Sequence, residues 1–369
     1  MKPVSLYLHI PFCARRCNYC NFFSTTRLEE RGKYIEAMKR AIAAASLDNR
    51  EAVTIYFGGG TPSLLGAGLL DILAAIRERL PIAADAEITL EANPATIDLD
   101  TMGQLRRGGF NRISLGLEAD DDEALRRLGR LHTAEQGRKS VEMARQAGFE
   151  NISVDIMLAT PEQDIASAIA LCEGAAALDV PHISAYLLRV EADTPFGRQH
   201  AERLCADSDG AADIYMAACG VFAASGYSHY EVSNFARAGY ESRHNNAYWN
   251  LTEYLGIGPA AYSFMEGERF HLPEDLDSFM ESESIWEATV SDGTGGDLTE
   301  YIMLSLRLSA GLSLEVLRGR YNLETAALEM RARTLQRQKL LTVRGGIIRL
   351  TDSGFLVSNS VINYLSAGI

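Results

Sequence analysis

Half of the six cysteines in the sequence lie within eight residues of one another. Cys13, Cys17 and Cys20 have the spacing C-x3-C-x2-C inside Leu6–Ser24, where an apolar run opens into a loop. Three thiolates without a fourth nearby match a zinc site poorly, because structural zinc takes four closed ligands. A [4Fe-4S] cluster fits better, since three cysteines can hold three irons and leave the fourth iron open to an external ligand. The loop therefore predicts a cluster site with one iron available for chemistry.

A disulfide, or a set of buried thiols that only pack, is the alternative interpretation of this loop. A disulfide would leave one cysteine unpaired, and no secretory signal precedes the loop, so oxidised pairing is not expected. Small apolar cysteines rarely gather this closely through packing alone. A cluster and free thiols both imply a reducing compartment, and we expect a cytoplasmic location.

Composition and charge exclude some classes of protein. The chain has 369 residues, 47% hydrophobic and 23% charged, with a net charge of −14. This length suggests one large domain with a smaller companion. Such an acidic surface repels phosphate backbones, so nucleic-acid binding is not expected, and we interpret Arg15 and Arg16 in the cysteine loop as solvated side chains. No apolar run approaches the ~20 residues of a membrane-spanning helix.

Strand-like and helix-like segments alternate over the first half of the chain. The strand candidates begin at Leu6 and continue with Ala52–Phe57, Ala86–Leu90, Arg112–Leu117, Ile152–Leu158 and His182–Leu188. Six strands alternating with helices are typical of a parallel sheet that curls into a barrel or part of one. The sequence therefore predicts an α/β fold with six parallel strands.

Polar residues follow or end these strands. They include the cysteine loop, the glycines at 58–60, Glu91, Glu118 and Asp155. Barrel enzymes place their functional groups at the carboxyl ends of the strands, so these residues should converge on one rim. Glu91 and Asp155 could instead be turn or capping residues, but the joint pattern beside the cysteine loop favours a site.

The glycines at 58–60 are typical of a turn that approaches another group closely. Glycine permits positive φ and lets the backbone come near a ligand. The Lys-Ser or Lys-Thr pair of a phosphate-binding loop does not follow, so nucleoside triphosphate binding is disfavoured.

The strand pattern fades after His200. Glu266–Gly296 is acidic and polar and is interpreted as a connection, and helices recur from Leu298. Two short strands around Gly345-Gly346 read as a hairpin, and Val357–Leu365 is predicted as a closing helix. We expect three parts, a barrel over residues 1–240, a connecting segment over 241–296, and a smaller helical, winged-helix-like domain over 297–369.

Seven segments together resemble a known family. They are YLHIPFCARRCNYCNF at 7–22, GGGTPS at 58–63, NRISLGLE at 111–118, LGRLH at 128–132, PHISAYLL at 181–188, GYSHYEVSNFA at 226–236 and HNNAYW at 244–249. The set is similar, over nearly the whole chain, to the coproporphyrinogen-oxidase-like (HemN-like) group of radical S-adenosylmethionine (SAM) proteins. The resemblance implies a partial (β/α)6 TIM-like barrel with a smaller C-terminal domain, a [4Fe-4S] cluster and SAM.

Within that group the sequence is most similar to the haem-chaperone branch. True oxygen-independent coproporphyrinogen III oxidases have a further cysteine two residues after the third, where this chain has Phe22. The chaperone branch has C-x3-C-x2-C-x-F together with a later H-N-x-x-Y-W, and both are present. The resemblance implies haem binding and delivery to haem-acceptor proteins. From charge and hydropathy we expect no nucleic-acid partner and no transmembrane segment, while peripheral contact with a membrane stays open. The alternatives are a coproporphyrinogen III oxidase, another HemN-like radical enzyme of porphyrin metabolism, or a structural iron–sulfur protein without SAM.

The resemblance also assigns roles to individual residues. Cys13, Cys17 and Cys20 resemble the cluster ligands, whose open iron takes the amino and carboxylate groups of SAM. The positions that resemble cofactor contacts are Tyr7, Tyr19, Gly59, Gly60, Thr61, Glu91, Glu118, Arg130 and Asp155. Arg130 could pair with the carboxylate of SAM. His244 is the implied ligand of the haem iron, and Tyr248 and Trp249 would pack against the porphyrin.

Four departures from the family pattern concern the fine geometry of the cofactor site. Glu118 stands where the family usually has Gln, and Ala119 where it usually has Ser. The segment ATPEQ at 159–163 replaces a turn like Gly-Leu-Pro-Gly-Gln, and Tyr262 occupies a usual His position. None of these changes removes a cluster ligand.

Overall fold

Strands alternate with helices along most of the chain, and the computed structural model of the protein describes residues 1–368. The strands are β1 (Lys2–Ile10), β2 (Arg50–Gly59), β3 (Ile82–Ala92), β4 (Arg112–Glu118), β5 (Asn151–Leu158), β6 (His182–Leu187), β7 (Ser228–Glu231), β8 (Asn234–Ala236), β9 (Tyr254–Ile257), β10 (Tyr262–Met265), β11 (Glu268–His271), β12 (Val290–Thr294), β13 (Leu312–Ser313), β14 (Leu341–Arg344) and β15 (Ile347–Leu350). The helices are α1 (Arg31–Ala44), α2 (Gly68–Arg79), α3 (Leu99–Gly108), α4 (Asp122–Leu128), α5 (Ala134–Gln146), α6 (Ile165–Ala177), α7 (Pro195–Arg198), α8 (Ser208–Ala224), α9 (Arg243–Trp249), α10 (Leu276–Glu281), α11 (Leu298–Ser305), α12 (Leu314–Tyr321), α13 (Ala326–Arg337), α14 (Asp352–Leu356) and α15 (Ser358–Ser366).

Six parallel strands form the centre of a twelve-stranded sheet. The strand order is β12-β11-β10-β9-β1-β2-β3-β4-β5-β6-β8-β7, and β1 to β6 pair consecutively in parallel. The predicted α/β fold with six parallel strands is therefore confirmed. In the part of the chain that the structure describes, β7 and β12 remain the two edges, so the barrel is partial.

Side chains on the central strands alternate between an apolar and a polar face. On β1, Leu6 and Leu8 are fully buried in one hydrophobic cluster with Tyr34 and Met38 of α1. Because successive residues of a strand point to opposite faces, Tyr7 points the other way, and its ring stacks on Tyr56 of β2. The helices therefore cover an apolar outer face, while the inner face carries polar and aromatic groups.

The region beyond His200 is richer in strands than the sequence predicts. β7 and β8 form a hairpin that extends the sheet beyond β6, and β9 pairs in parallel with β1. The expectation that Glu266–Gly296 is a connection is wrong, because β11 and β12 are paired strands of the main sheet. All five residues of β12 are exposed, so this edge strand lacks the apolar alternation by which a strand is recognised.

Helix α9 covers the inner face of the sheet and belongs to the barrel. The amides of Arg243 and His244 donate hydrogen bonds to the two carboxylate oxygens of Glu87 on β3, at 3.1 and 3.0 Å. A carboxylate at a helix N-terminus satisfies free amides and is favoured by the helix dipole. The H-N-x-x-Y-W segment is therefore fixed inside the barrel by a strand that lies far away in the sequence.

The C-terminal part packs on the barrel through His229. β14 and β15 form the predicted hairpin, and β13 joins them in a three-stranded sheet. Thr351 caps the short helix α14, and α15 (Ser358–Ser366) confirms the predicted closing helix Val357–Leu365 to within one residue at each end. Nδ1 of His229 lies 3.0 Å from Oδ1 of Asp352. Ile369, the last residue of the predicted domain, lies outside the described residues.

No helix within residues 1–368 has both the length and the apolar character needed to cross a membrane.

Replacing Glu87 with alanine should destabilise the barrel. The substitution leaves two amides of α9 without their acceptor, so the free energy of unfolding should fall by about 1–3 kcal/mol. Urea denaturation followed by circular dichroism measures this change. Glu78→Ala, on the exposed face of α2, is the matched control and should have little effect. Equal stability of both variants would contradict the assigned role of Glu87.

Candidate cluster and cofactor site

A cavity of about 420 Å³ opens at the carboxyl ends of the parallel strands. Its lining includes the three cysteines and most of the positions that resemble SAM contacts: Cys13, Cys17, Tyr19, Cys20, Gly59, Gly60, Thr61, Glu91, Glu118, Arg130 and Asp155. Tyr7 and His244 lie elsewhere. We call this space the cluster cavity.

The cysteine loop presents three free thiols to the cluster cavity. Thr61 Oγ1 donates to Sγ of Cys13 at 3.7 Å, and Arg130 Nη1 donates to Sγ of Cys17 at 3.5 Å. Among residues 1–368, the three sulfur atoms do not form a set within 4.8 Å of one another, as the ligands of a single ion would. A [4Fe-4S] cluster is larger than one ion and takes three thiolates, so this donor set fits a cluster better than zinc.

Burial favours the protonated form of two of these thiols, Cys13 and Cys20. It raises the pKa of Cys20 to about 11 and that of Cys13 above its usual value, although the Thr61 hydrogen bond opposes the shift at Cys13. Thiolate is the form that binds metal, so loading the site releases protons.

The glycine turn is fixed by contact with the cysteine loop. The amide of Gly60 donates to the carbonyl of Ile10 at 2.8 Å, and that of Thr61 donates to the carbonyl of Phe12 at 2.7 Å. A Cβ at Gly60 would lie 2.7 Å from the Phe12 carbonyl oxygen, and Gly59 has φ +112°. The glycines are therefore required for approach to the neighbouring loop, whether or not a ligand is bound.

Three carboxylates, Glu118 buried and Glu91 and Asp155 partly buried, line the cluster cavity. Burial raises the pKa of Glu91 to about 7 even though Tyr56 donates a hydrogen bond to it at 2.6 Å. Burial also raises the pKa values of Glu118 and Asp155. The inner part of this cavity therefore holds acids whose charge a cationic ligand group would stabilise.

Arg130 is the one buried cation in the lining of the cluster cavity, and Glu118 engages it. The nearest oxygen of Glu118 lies 3.5 Å from Arg130 Nη1, and both side chains are about nine-tenths buried. Arg130 Nη2 also donates to the carbonyl of Gly116 at 2.7 Å. The resemblance leads us to expect a neutral glutamine at position 118. In this chain the Glu118 carboxylate instead partly neutralises Arg130, the cation assigned to the carboxylate of SAM.

The ATPEQ segment keeps two left-handed residues. Ala159 has φ +54° and Glu162 has φ +65°, and both stand where the family turn would have glycine. Left-handed backbone is unfavourable for L-residues with a Cβ. Ala159 and Glu162 therefore adopt a backbone conformation that glycine takes at lower cost.

A second cavity of about 400 Å³ lies beside the first. Aromatic rings dominate its lining: Tyr7, Phe22, Phe23, Tyr248, Tyr254 and Tyr262. Asn21 and Phe22 border both cavities. We call this space the aromatic cavity. No single motif predicts it, because its rings come from β1, α9, β9, β10 and the cysteine loop, which lie far apart in the sequence.

His244 is enclosed in the barrel. It is 1% exposed, Thr54 Oγ1 lies 2.8 Å from its Nδ1, and the hydroxyl of Tyr248 lies 2.8 Å from its Nε2. Burial, with Arg112 nearby, lowers its pKa to about 3, so the imidazole is neutral. Iron ligation by His244 stays a prediction, and it would require the side chain to leave one of these hydrogen bonds. Trp249 lies near Arg307, whose guanidinium is 5.9 Å from the centre of the Trp249 ring.

Substituting Gly60 with alanine should destabilise the protein and displace the cysteine loop. The added methyl group would overlap backbone atoms of Phe12 and Pro11, which should lower the free energy of unfolding by about 1–3 kcal/mol. Gly32→Ala, on α1 where an added Cβ meets no atom within 4 Å, is the control. Thermal denaturation measures both, and an unchanged Gly60→Ala protein would contradict the described contact.

Comparison with known proteins identifies the family. A model of the radical SAM superfamily matches residues 7–173, and one of the HemN C-terminal domain matches residues 297–357. The heme chaperone HemW of Lactococcus lactis is 35% identical over 369 residues, covering 98% of this chain and 96% of that protein. That of Escherichia coli is 38% identical over 267 residues, or 71% and 70% of the two chains. The solved structure of coproporphyrinogen III oxidase (HemN) from E. coli, a radical SAM enzyme, superposes with a TM-score of 0.84 at 23% sequence identity. The match covers 100% of this chain and 91% of the HemN chain, so the two proteins share a fold. The chain belongs to the HemW family of the radical SAM superfamily.

Proposed function

We propose that this protein is a haem chaperone that binds a [4Fe-4S] cluster, SAM and haem and passes haem to acceptor proteins. The observation that carries the proposal is the set of three free thiols facing one cavity with a glycine turn, buried carboxylates and Arg130. Relatives of nearly full length are named heme chaperone HemW, and the sequence carries both Phe22 and the H-N-x-x-Y-W segment of that branch.

In this proposal Cys13, Cys17 and Cys20 hold the cluster, and the open iron supplies a position for the amino and carboxylate groups of SAM. Glu91 and Asp155 suit the hydroxyl and ammonium groups of such a ligand, because ionised carboxylates accept hydrogen bonds. Tyr19 lines the cluster cavity together with Cys17 and Cys20. Tyr7 lines the aromatic cavity and not the cluster cavity, so of the proposed contacts with SAM the one by Tyr7 has the least structural support.

Iron loading tests the cluster proposal directly. After anaerobic reconstitution with iron and sulfide, the wild-type protein should hold about four irons per chain and show the broad visible absorption of a cluster. Cys17→Ser should lose most of this iron. Cys205→Ser, outside the cluster cavity, is the control and should load normally. Equal iron content in both variants would contradict the ligand assignment.

Haem transfer separates the chaperone from the enzyme. The cluster-loaded protein should bind haem and transfer it to an apo-haem protein, measured by the Soret band of the acceptor. Oxidative decarboxylation of coproporphyrinogen III under reducing, anaerobic conditions would instead support the oxidase alternative and contradict the chaperone proposal.

Glu118 should make the cluster cavity favour SAM over S-adenosylhomocysteine, an analogue whose sulfur is uncharged. SAM carries a positive sulfonium that S-adenosylhomocysteine lacks, while both carry the same amino and carboxylate groups. In Glu118→Gln one buried negative charge is lost and Arg130 is freed, so the preference for SAM should fall roughly three- to tenfold, or ~0.7–1.4 kcal/mol. Anaerobic calorimetric titration of the cluster-loaded protein with each ligand measures this ratio. An unchanged ratio would refute the role of Glu118, whereas failure of the wild type to bind SAM would refute the SAM proposal itself.

A further inference from the structure

Glu91 is held in the cluster cavity by two donors, one on each oxygen of its carboxylate. The hydroxyl of Tyr56 donates to Oε1 at 2.6 Å, and the amide of Gly59 donates to Oε2 at 3.1 Å. An ionised carboxylate oxygen can accept more than one hydrogen bond, so each oxygen keeps acceptor capacity for a ligand in the cavity. The orientation of this carboxylate is therefore set by β2 and the glycine turn before a ligand arrives.

The register of the sheet brings the Tyr56 hydroxyl to Glu91. Tyr56 on β2 is paired with Thr89 on β3, and Glu91 follows Thr89 by two residues. Because side chains alternate between the two faces along a strand, Tyr56 and Glu91 point to the same inner face of the barrel. A Cβ at Gly58 would lie 2.8 Å from the Tyr56 ring and 3.1 Å from Oε1 of Glu91. Glycine at position 58 therefore leaves the space in which the hydroxyl meets the carboxylate.

The ring of Tyr56 is fixed from its other side by helix α9. His244 stacks on it with ring centroids 4.9 Å apart and an angle of 23° between the planes. His244 is held in turn by Thr54 on the same strand and by Tyr248. Moving the hydroxyl away from Glu91 would disturb this stack. Tyr56 thus connects the H-N-x-x-Y-W segment with a carboxylate that lines the cluster cavity.

We propose that Tyr56 is a positioning residue of the SAM site, whose hydroxyl holds the Glu91 carboxylate ionised and oriented toward the cationic cofactor. This inference rests on the proposed binding of SAM and adds a residue that the family resemblance does not assign. Tyr56 lies behind Glu91 and outside the lining of the cluster cavity, so it acts through Glu91 and not by contact with the ligand.

The hydrogen bond from Tyr56 is important because Glu91 titrates close to neutral pH. Burial raises the pKa of Glu91 to about 7, and the hydrogen bond from Tyr56 opposes this shift. Among the other groups that face Glu91, Asp155 on β5 raises its pKa, while the Gly59 amide and Arg112 on β4 lower it. All three remain when the Tyr56 hydroxyl is removed. Loss of this donor should therefore raise the pKa of Glu91 further, so that the carboxyl group is protonated over a wider pH range.

The pH dependence of SAM binding tests the role of Tyr56. Tyr56→Phe removes the hydroxyl and keeps the ring that stacks on His244. SAM is titrated into the cluster-loaded wild type and variant by anaerobic calorimetry between about pH 6 and about pH 8.5. The variant should bind SAM at least about threefold more weakly near pH 7 and within about twofold of the wild type near pH 8.5, because an upward shift in the titration of a carboxyl group matters most near its pKa. Titration of the amino group of SAM is common to both proteins and cancels in their ratio.

Tyr227→Phe is the matched control. Tyr227 is a buried tyrosine outside the cluster cavity, and its hydroxyl also donates at 2.6 Å, in this case to the carbonyl of Val180. Both substitutions remove one hydrogen bond and should lower the thermal stability to a similar extent. Only Tyr56→Phe should change the pH dependence of SAM binding.

Infrared spectroscopy follows the charge of Glu91 without SAM, because a protonated carboxyl group and a carboxylate absorb at different frequencies. Glu91→Gln identifies the band, which should persist to higher pH in Tyr56→Phe than in the wild type. An unchanged titration of Glu91, or a loss of SAM affinity in Tyr56→Phe that is equal at every pH, would overturn the inference. Failure of the wild type to bind SAM at any pH would refute the SAM-binding proposal on which the inference rests.

Discussion

The parallel register between β1 and β2 is the constraint on which the candidate site depends. His9 pairs with Gly58 and Ile10 with Gly59, so both strands end at the same level of the sheet. The cysteine loop and the glycine turn must then leave the sheet side by side. Their contact is close enough that only glycine fits at position 60. The cysteines are thereby positioned by backbone hydrogen bonds of the sheet and turn, before any cluster is present.

The same parallel arrangement forces charged groups into the barrel interior. Glu87 and Glu91 on β3 and Asp155 on β5 all point inward, and Arg112 on β4 is 2% exposed among them. Burying a charge is costly unless a partner or hydrogen bonds compensate. Glu87 is compensated by the amides of α9, whereas Glu91 keeps a raised pKa of about 7. Glu91 also accepts hydrogen bonds from the Tyr56 hydroxyl and the Gly59 amide, but burial outweighs them, so a cationic ligand group would still stabilise its charge.

The sequence was informative where a residue's role depends on its neighbours in the chain. Strand-like runs that alternate with helix-like segments predict β1 to β6, and the tight C-x3-C-x2-C spacing predicts that three thiols share one loop. His244 and Tyr7 were harder to place, because Thr54 and Glu87, which hold His244, lie more than 150 positions away in the chain. β11 and β12 were missed because an exposed edge strand carries no buried face to mark it.

The two cavities are not independent, because one loop forms a wall of each. Phe22 follows Cys20 by two residues and borders both spaces, as does Asn21. His9 adds a second link: its Nε2 contacts the carbonyl of Phe23, its Nδ1 contacts the hydroxyl of Tyr7, and its own carbonyl accepts a hydrogen bond from Tyr34. Any force that fixes the three thiols in place also restricts Phe22 and Phe23. The conformation of the cysteine loop therefore affects the shape of the aromatic cavity, because Phe22 and Phe23 belong to its lining.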